Sequence, residues 1–432
     1  MPYPNALIRS LAVLVVCFAQ LRSTAQRYPD QVFVPNIKTV KLFKYGDPFA
    51  YPIIALNSSD RLELHFDDLD ANIKSYYYTI ELCDADWKPA LMSFLDYARG
   101  FTNVRITTYR NSSVALTRYV HYQASFPDRD LAPTRAGNYV LKVFLNGDSS
   151  KMIISRRFLV VDQKIAISAQ IQQPFNPEIF RSHQLIHVAI NTPAVNVVYP
   201  NQIRVFVLQN NRWDNCLHDL TPSLMRNAYY EFNVENQIVM PGGKEWRWLD
   251  LRSFRLLSDR VSRQENTNTA NELFVKQEYP RPGQRYMYFK DNNGMFISET
   301  SEGLNPYWQG DYAKVHFSFQ PNEKLPYEGK DLSIFGEMTN YGNGDGAKLQ
   351  WNESTQSYET ILFLKQGYYD YIYALKDPND PARKFTSDIT EGDSWETENR
   401  YTVLIYYREL GGRYDQLLGI AFLNSMLNRP GQ

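Results

Sequence analysis

Hydrophobic and polar residues alternate with a period of two along much of the chain. Leu62, Leu64 and Phe66 fall on one face of a strand, with Arg61, Glu63 and His65 on the other, and Tyr76, Tyr78, Ile80 and Leu82 repeat the pattern. Successive side chains of a strand point to opposite faces, so this period predicts half-buried sheet. Most of the chain carries no comparable helical stripe. Tyr139, Leu141, Val143 and Leu145 make a further strand that ends at Asn146-Gly147-Asp148, where Asn-Gly favours the positive dihedrals of a tight hairpin turn, and 151–161 is the return strand. Ile203, Val205 and Val207 alternate before a second turn at Asn210-Asn211. Strands are also expected at 185–190, 315–319, 332–336, 357–364, 368–375 and 399–408, with 415–426 adding a last strand or short helix. The polar stretch 258–271 reads as a long exposed loop.

Short strands separated by turn signals argue for an all-β chain of about three consecutive immunoglobulin-like sandwiches. The expected units are 26–163, 164–300 and 301–432, the last with a terminal extension. Before them, Arg9-Ser10 leads into an apolar run from Leu11 to Ala19 and then Ser23-Thr24-Ala25. This is the grammar of a cleaved signal peptide, 1–25, and its apolar core is well short of the roughly eighteen to twenty residues of a membrane span. Cleavage is expected after Ala25. A lipoprotein reading of Cys17 is disfavoured, because bulky Val15 and Val16 precede it inside the apolar run.

Lys plus Arg number 46 and Asp plus Glu 47, so no net basic field draws the chain to nucleic acid or acidic membrane. Beyond the leader only Cys83 and Cys216 remain, and two buried free thiols are expected in preference to a disulfide. With 31 Tyr, 24 Phe and 7 Trp, most aromatic rings must pack sheets, and some can form a recognition surface.

Catalytic signatures do not emerge. His183 and His187 have the i, i+4 spacing of a helical metal pair but lie in an alternating segment, so no metal site is expected. No Gly-x-Ser-x-Gly elbow occurs, and the glycine-rich run 340–346 lacks the Lys-Ser/Thr of a phosphate loop; it reads as a solvated turn whose single Asp345 would make a weak calcium cage. Asp67-Asp68-Asp70 and Asp84-Asp86 read as exposed loop charges, although paired acids are also what a glycosidase needs. No cofactor is expected. Segments 332–337 and 367–373 resemble the strand grammar of small sugar-binding modules, which leaves an exported carbohydrate-binding protein, using exposed Tyr and Trp, as the alternative reading.

The order of several longer strings resembles the plug protein family of the type IX secretion system of Bacteroidetes. They are Tyr51-Pro52-Ile53-Ile54-Ala55-Leu56-Asn57, Leu62 to Asp67, Tyr77 to Trp87, Gly137-Asn138-Tyr139 with Arg156-Arg157-Phe158, and Arg413 to Gly419. The resemblance implies a non-enzymatic periplasmic protein that binds a very large outer-membrane β-barrel translocon and seals its periplasmic opening when no cargo complex is engaged. It also implies that the chain is not itself cargo, since a cargo protein would carry an added sorting domain after 432. Candidate anchors for such a partner are Trp246, Trp248, Tyr307 and Trp308, because aromatic residues dominate interface hot spots.

Overall fold

The computed structural model describes residues 30–380 and 384–429, so the expected leader lies outside the described residues. The alternating segments form strands Leu62–Asp68, Tyr76–Cys83 and Gly137–Leu145. Leu62, Leu64, Phe66, Tyr76, Tyr78, Leu82, Tyr139 and Leu141 meet in one core between two sheets. One sheet runs Gln31–Val32, Met152–Val161, Gly137–Leu145, Tyr76–Cys83, Val104–Arg105, and the other runs Ile37–Lys44, Leu62–Asp68, Val120–Phe126, Thr108–Asn111. At the hairpin between Gly137–Leu145 and Met152–Val161, Asn146 and Gly147 take φ of 56° and 69°, the paired positive values that its turn chemistry requires.

The second sandwich packs Ala166–Gln172, His183–Asn191, Tyr229–Phe232, Leu224–Arg226 and Val239–Pro241 against Ile203–Gln209, Arg400–Tyr407 and Gln416–Asn424. Its core therefore takes Ile186, Val188 and Phe232 from the middle of the chain and Tyr401, Val403, Ile405 and Leu418 from its last part. The third sandwich packs Arg247–Asp250, Phe296–Ser298, Asp331–Phe335 and Gly367–Lys376 against Val261–Asn266, Asn271–Val275, Tyr312–Phe319, Ser357–Lys365 and Gln350–Asn352.

This pairing cuts across the expected boundary at 300. Strands Arg247–Asp250 and Phe296–Ser298 hydrogen-bond to Gly367–Lys376, and Arg400–Tyr407 is the neighbour of Ile203–Gln209. The third sandwich is thus threaded into the second, whose sheet closes only after the chain returns. Period two fixes which face of a strand is apolar but says nothing about its partner strand. The expected loop 258–271 is also corrected: Val261–Asn266 and Asn271–Val275 form an edge hairpin closed by Thr267 N–H bonding Ala270 O at 2.9 Å. Its outward residues are polar because that face meets solvent, which hid the strand period. The last stretch forms strand Gln416–Asn424. Among the described residues no helix is long and apolar enough to cross a membrane.

Candidate functional site

The aromatic anchors expected from sequence sit largely inside the molecule. Trp246 is 4 % exposed and packs on Phe335, so its ring offers little to a docking partner. Trp248 is half-buried between the Arg260 guanidinium at 4.1 Å and the edge of Phe289 at 4.9 Å. Tyr307 stacks on His65 at 4.3 Å, and Trp308 receives the Arg110 guanidinium at 4.4 Å while its carbonyl accepts from Ser113 N–H at 2.8 Å. Tyr307 and Trp308 therefore join the third sandwich to the first. Tyr369, Tyr371 and Tyr373, on which the sugar-binding alternative leaned, are buried in the third core.

What the structure gathers instead is polar chemistry in the seams between sandwiches. In the first–third seam the Asp67 carboxylate is enclosed. Its Oδ1 faces His121 Nδ1 at 2.7 Å, and its Oδ2 accepts from Tyr312 Oη at 2.7 Å and from Lys365 Nζ at 2.6 Å. The side chains of Asp67 and Lys365 are each 1 % exposed. Lys365 also donates to Tyr307 O at 2.7 Å and lies over the Tyr119 ring at 4.2 Å. His121 Nε2 meets His65 Nδ1 at 3.0 Å. The expectation that Asp67 and Asp68 are exposed loop charges is corrected: both lie on strand Leu62–Asp68 and are buried, because partners more than 200 residues away in sequence cover the outer face at Asp67.

Electrostatics follow from that enclosure. Burial opposes ionisation of Asp67, but Lys365 and His121 outweigh it and hold the carboxyl below its ordinary range. Burial, reinforced by His121, pushes His65 down to about 3, and burial lowers His121 against the pull of Asp67. The chain Asp67–His121–His65 has the outline of a proton relay, yet Tyr307 caps it and the void beside it measures about 10 Å³. That space holds no substrate. The arrangement is a clasp.

The first–second seam is apolar at its centre and polar at its rim. Cys83, Ala85, Trp87, Val140 and Leu159 pack against Phe206, Leu208, Leu404, Tyr406 and Leu417. Trp87 meets Trp213 edge-on at 4.8 Å, and Trp213 Nε1 donates to Tyr51 Oη at 2.6 Å. Arg204 grips Asp86 with two bonds of 2.8 and 3.0 Å. Tyr406 Oη donates to Asn138 Oδ1 at 2.6 Å, and Asp415 accepts from Ala85 N–H at 2.9 Å and from Arg408. Cys83 and Cys216 are free, and burial pushes the Cys216 thiol up to about 12. The idiosyncratic sequence strings at 51–57, 77–87, 137–139, 156–158 and 413–419 all supply this seam, the third of these through Asn138 and the fourth through Arg157, whose guanidinium lies over Trp87 and Trp213. Their unusual residues are shared by two sandwiches.

The second–third junction is built by the two segments that carry the chain into and out of the third sandwich. Gly243 N–H bonds Asp393 Oδ1 at 2.9 Å, Ser394 N–H bonds Gly243 O at 2.8 Å, and Thr397 Oγ1 donates to the same carbonyl at 2.7 Å. Gln184 then holds the returning segment through Trp395 O and Thr397 O, both at 2.8 Å. Among the described residues no group of three or more His, Cys, Asp or Glu side chains is arranged to hold a metal ion.

Residues 37–162, which make up most of the first sandwich, match the family model described as type 9 secretion system plug protein 1st domain. Among solved structures, the chain is similar to a hypothetical protein from Parabacteroides merdae ATCC 43184, with 27% identity and a TM-score of 0.88. The match covers 92% of this chain and 100% of that one. No curated protein matches the chain.

Proposed function

We propose, from the match of residues 37–162 to the family model described as type 9 secretion system plug protein 1st domain, that the chain binds the periplasmic mouth of that system's very large outer-membrane β-barrel translocon and seals it when no cargo complex is engaged. The family match is the observation that carries this reading. The architecture supports it physically: a stopper must hold its shape against a wide water-filled opening, and the first sandwich is held to the second through an apolar seam and to the third through a buried ion pair, a frame that resists deformation. Interfaces of this kind rely on shape and a few anchors, so no turnover is required. Trp248, Tyr307 and Trp308, all half-buried, are the expected aromatic positions still reachable from solvent, and each of the two tryptophans also faces an arginine.

Two linked measurements test the proposal. Affinity purification of the tagged chain from its own cells in mild detergent should recover one very large outer-membrane barrel protein. That barrel, reconstituted in a planar bilayer, should lose most of its conductance when the purified chain is added on the periplasmic side. Recovery of the chain alone across several detergents, or an unchanged conductance with the chain bound, would overturn the sealing role.

A further inference from the structure

The two crossing segments, 242–247 and 391–399, bring together carboxyl groups from both sandwiches that they connect. Glu245 is 2 % exposed, accepts from the Tyr286 hydroxyl, and takes Glu398 N–H at 3.2 Å on the same oxygen. Its other oxygen, Oε2, is buried with no hydrogen-bond partner among the described residues. Asp291 accepts from Trp246 N–H at 2.5 Å and from Asn293 N–H at 2.9 Å, and so fixes the incoming segment to a loop of the third sandwich. Asn293 Nδ2 donates to Glu398 at 2.8 Å and fixes the outgoing segment to the same loop. Asp370, 0 % exposed on strand Gly367–Lys376, accepts from Asn292 N–H and has Gly294 N–H beside it, while its Oδ1 is buried and makes no well-formed hydrogen bond among the described residues. An ionised carboxylate buried with an empty lone pair is costly, whereas a protonated one is tolerated.

We propose that this double crossing is a proton-locked hinge: a protonated carboxyl at Glu245, between the crossing segments, and one at Asp370, behind the loop 291–293 that ties both segments, hold the crossing closed, and their ionisation loosens it. The groups facing them set the sign. Glu245 feels Asp291 and Glu398 as like charges and Tyr286 as a hydrogen-bond donor, while Arg281 bonds its backbone carbonyl at 2.9 Å and not its carboxyl. Asp370 feels Asp291 as a like charge against the Asn292 and Gly294 donors, and Asp291 feels Glu398 against the Asn293 and Trp246 N–H groups and Arg400. Around the rim, Glu396 and Arg429 face Tyr286, and Arg281, Glu391 and Asp393 face Lys244. Burial first, then Asp291, pushes Asp370 up to about 8, and burial raises Glu245 to about 7 and Asp291 to about 6. All three are raised in the closed form, so their contribution to closure is complete below the ordinary carboxylate range near 4. It is lost progressively as pH rises through about 6 to 8. The hinge stands independently of what the chain docks on.

Hydrogen exchange on the full chain between pH 5 and pH 8.5, corrected for the intrinsic rate, tests it directly. Protection in 242–247 and 391–399 should fall at least ten-fold beyond that of strand Gly137–Leu145 over this range. One titrating group gives up to a ten-fold change per pH unit. Glu245→Gln, which keeps a neutral side chain of the same shape, should flatten the fall, and Asp370→Asn should do so as a second, separate variant. The same pH profile in the wild type and in whichever variant folds, or a wild-type profile with no fall relative to the reference strand, would overturn the hinge. Translocon binding and conductance are read in a different assay, so loss of the sealing role leaves this result interpretable.

Discussion

Lys365 shows how one residue can decide an interface. It sits just before the Gln366-Gly367 turn, and its ammonium is enclosed with Asp67, Tyr312 and Tyr307 O. Removing one member of a buried pair strands the other charge, so Lys365→Met should destabilise the chain by about 3–5 kcal/mol in urea unfolding. The double variant Asp67→Asn with Lys365→Met should recover a large part of that loss, because neither charge is then left alone. A double variant no more stable than the single one would mean that the ion pair is not what holds this seam. Neither Asp67 nor His65 carries any sequence mark of burial. Period two assigns them to the face opposite Leu64 and Phe66, and an amphipathic strand sends that face to water unless another domain covers it.

At the scale of elements, the Asn-marked hairpins were legible, while the edge hairpin at 261–275 and the crossing were not. Asn146-Gly147 and Asn210-Asn211 announce their turns through residues that tolerate positive φ, and all four adopt it. At Gly242 the chain needs a bare backbone: a Cβ there would lie 2.1 Å from Ser394 O, so the two crossing segments touch backbone to backbone. Gly242→Ala should therefore force the segments apart and cost about 1–3 kcal/mol, as overpacking does. Gly243→Ala meets no neighbouring atom but carries strain from a φ of 64°. Comparing the two in thermal unfolding, with exchange measured at 391–399, separates steric from torsional cost. Only Gly242→Ala should raise exchange in the returning segment.

For the whole molecule, the threaded topology makes a sharper statement than any contact. Residues 243 and 393–394 are hydrogen-bonded neighbours, so replacing 244–392 by a short Gly-Ser linker should leave the first and second sandwiches folded, with a cooperative transition and retained strand signal in circular dichroism. Ending the chain at 399 removes Arg400–Tyr407 and Gln416–Asn424, two of the three strands in one sheet of the second sandwich, and should abolish its folding. If the two truncations behave alike, the second sandwich does not depend on its late strands and the topology has been misjudged. The result also bears on the plug, since the apolar seam of Trp87, Trp213, Phe206 and Tyr406 joins only the first and second sandwiches. A linker-replaced chain that still binds the translocon would assign docking to that pair.

Local chemistry in the chain determined the all-β class, the strongly alternating strands and the Asn-marked hairpin turns, because backbone sterics and side-chain alternation act over a few residues. The strings that carry the family resemblance were also visible, although their meaning was not: Asp86, Trp87, Asn138, Arg157 and Asp415 look arbitrary until two sandwiches close on them. Tertiary structure alone decided that Ile203–Gln209 pairs with Arg400–Tyr407, that the third sandwich interrupts the second, and that Asp67, Lys365, Glu245 and Asp370 are buried. Pairing across nearly 200 residues is selected by the joint burial of distant faces, a free energy that belongs to the assembled core and to no segment of sequence taken alone.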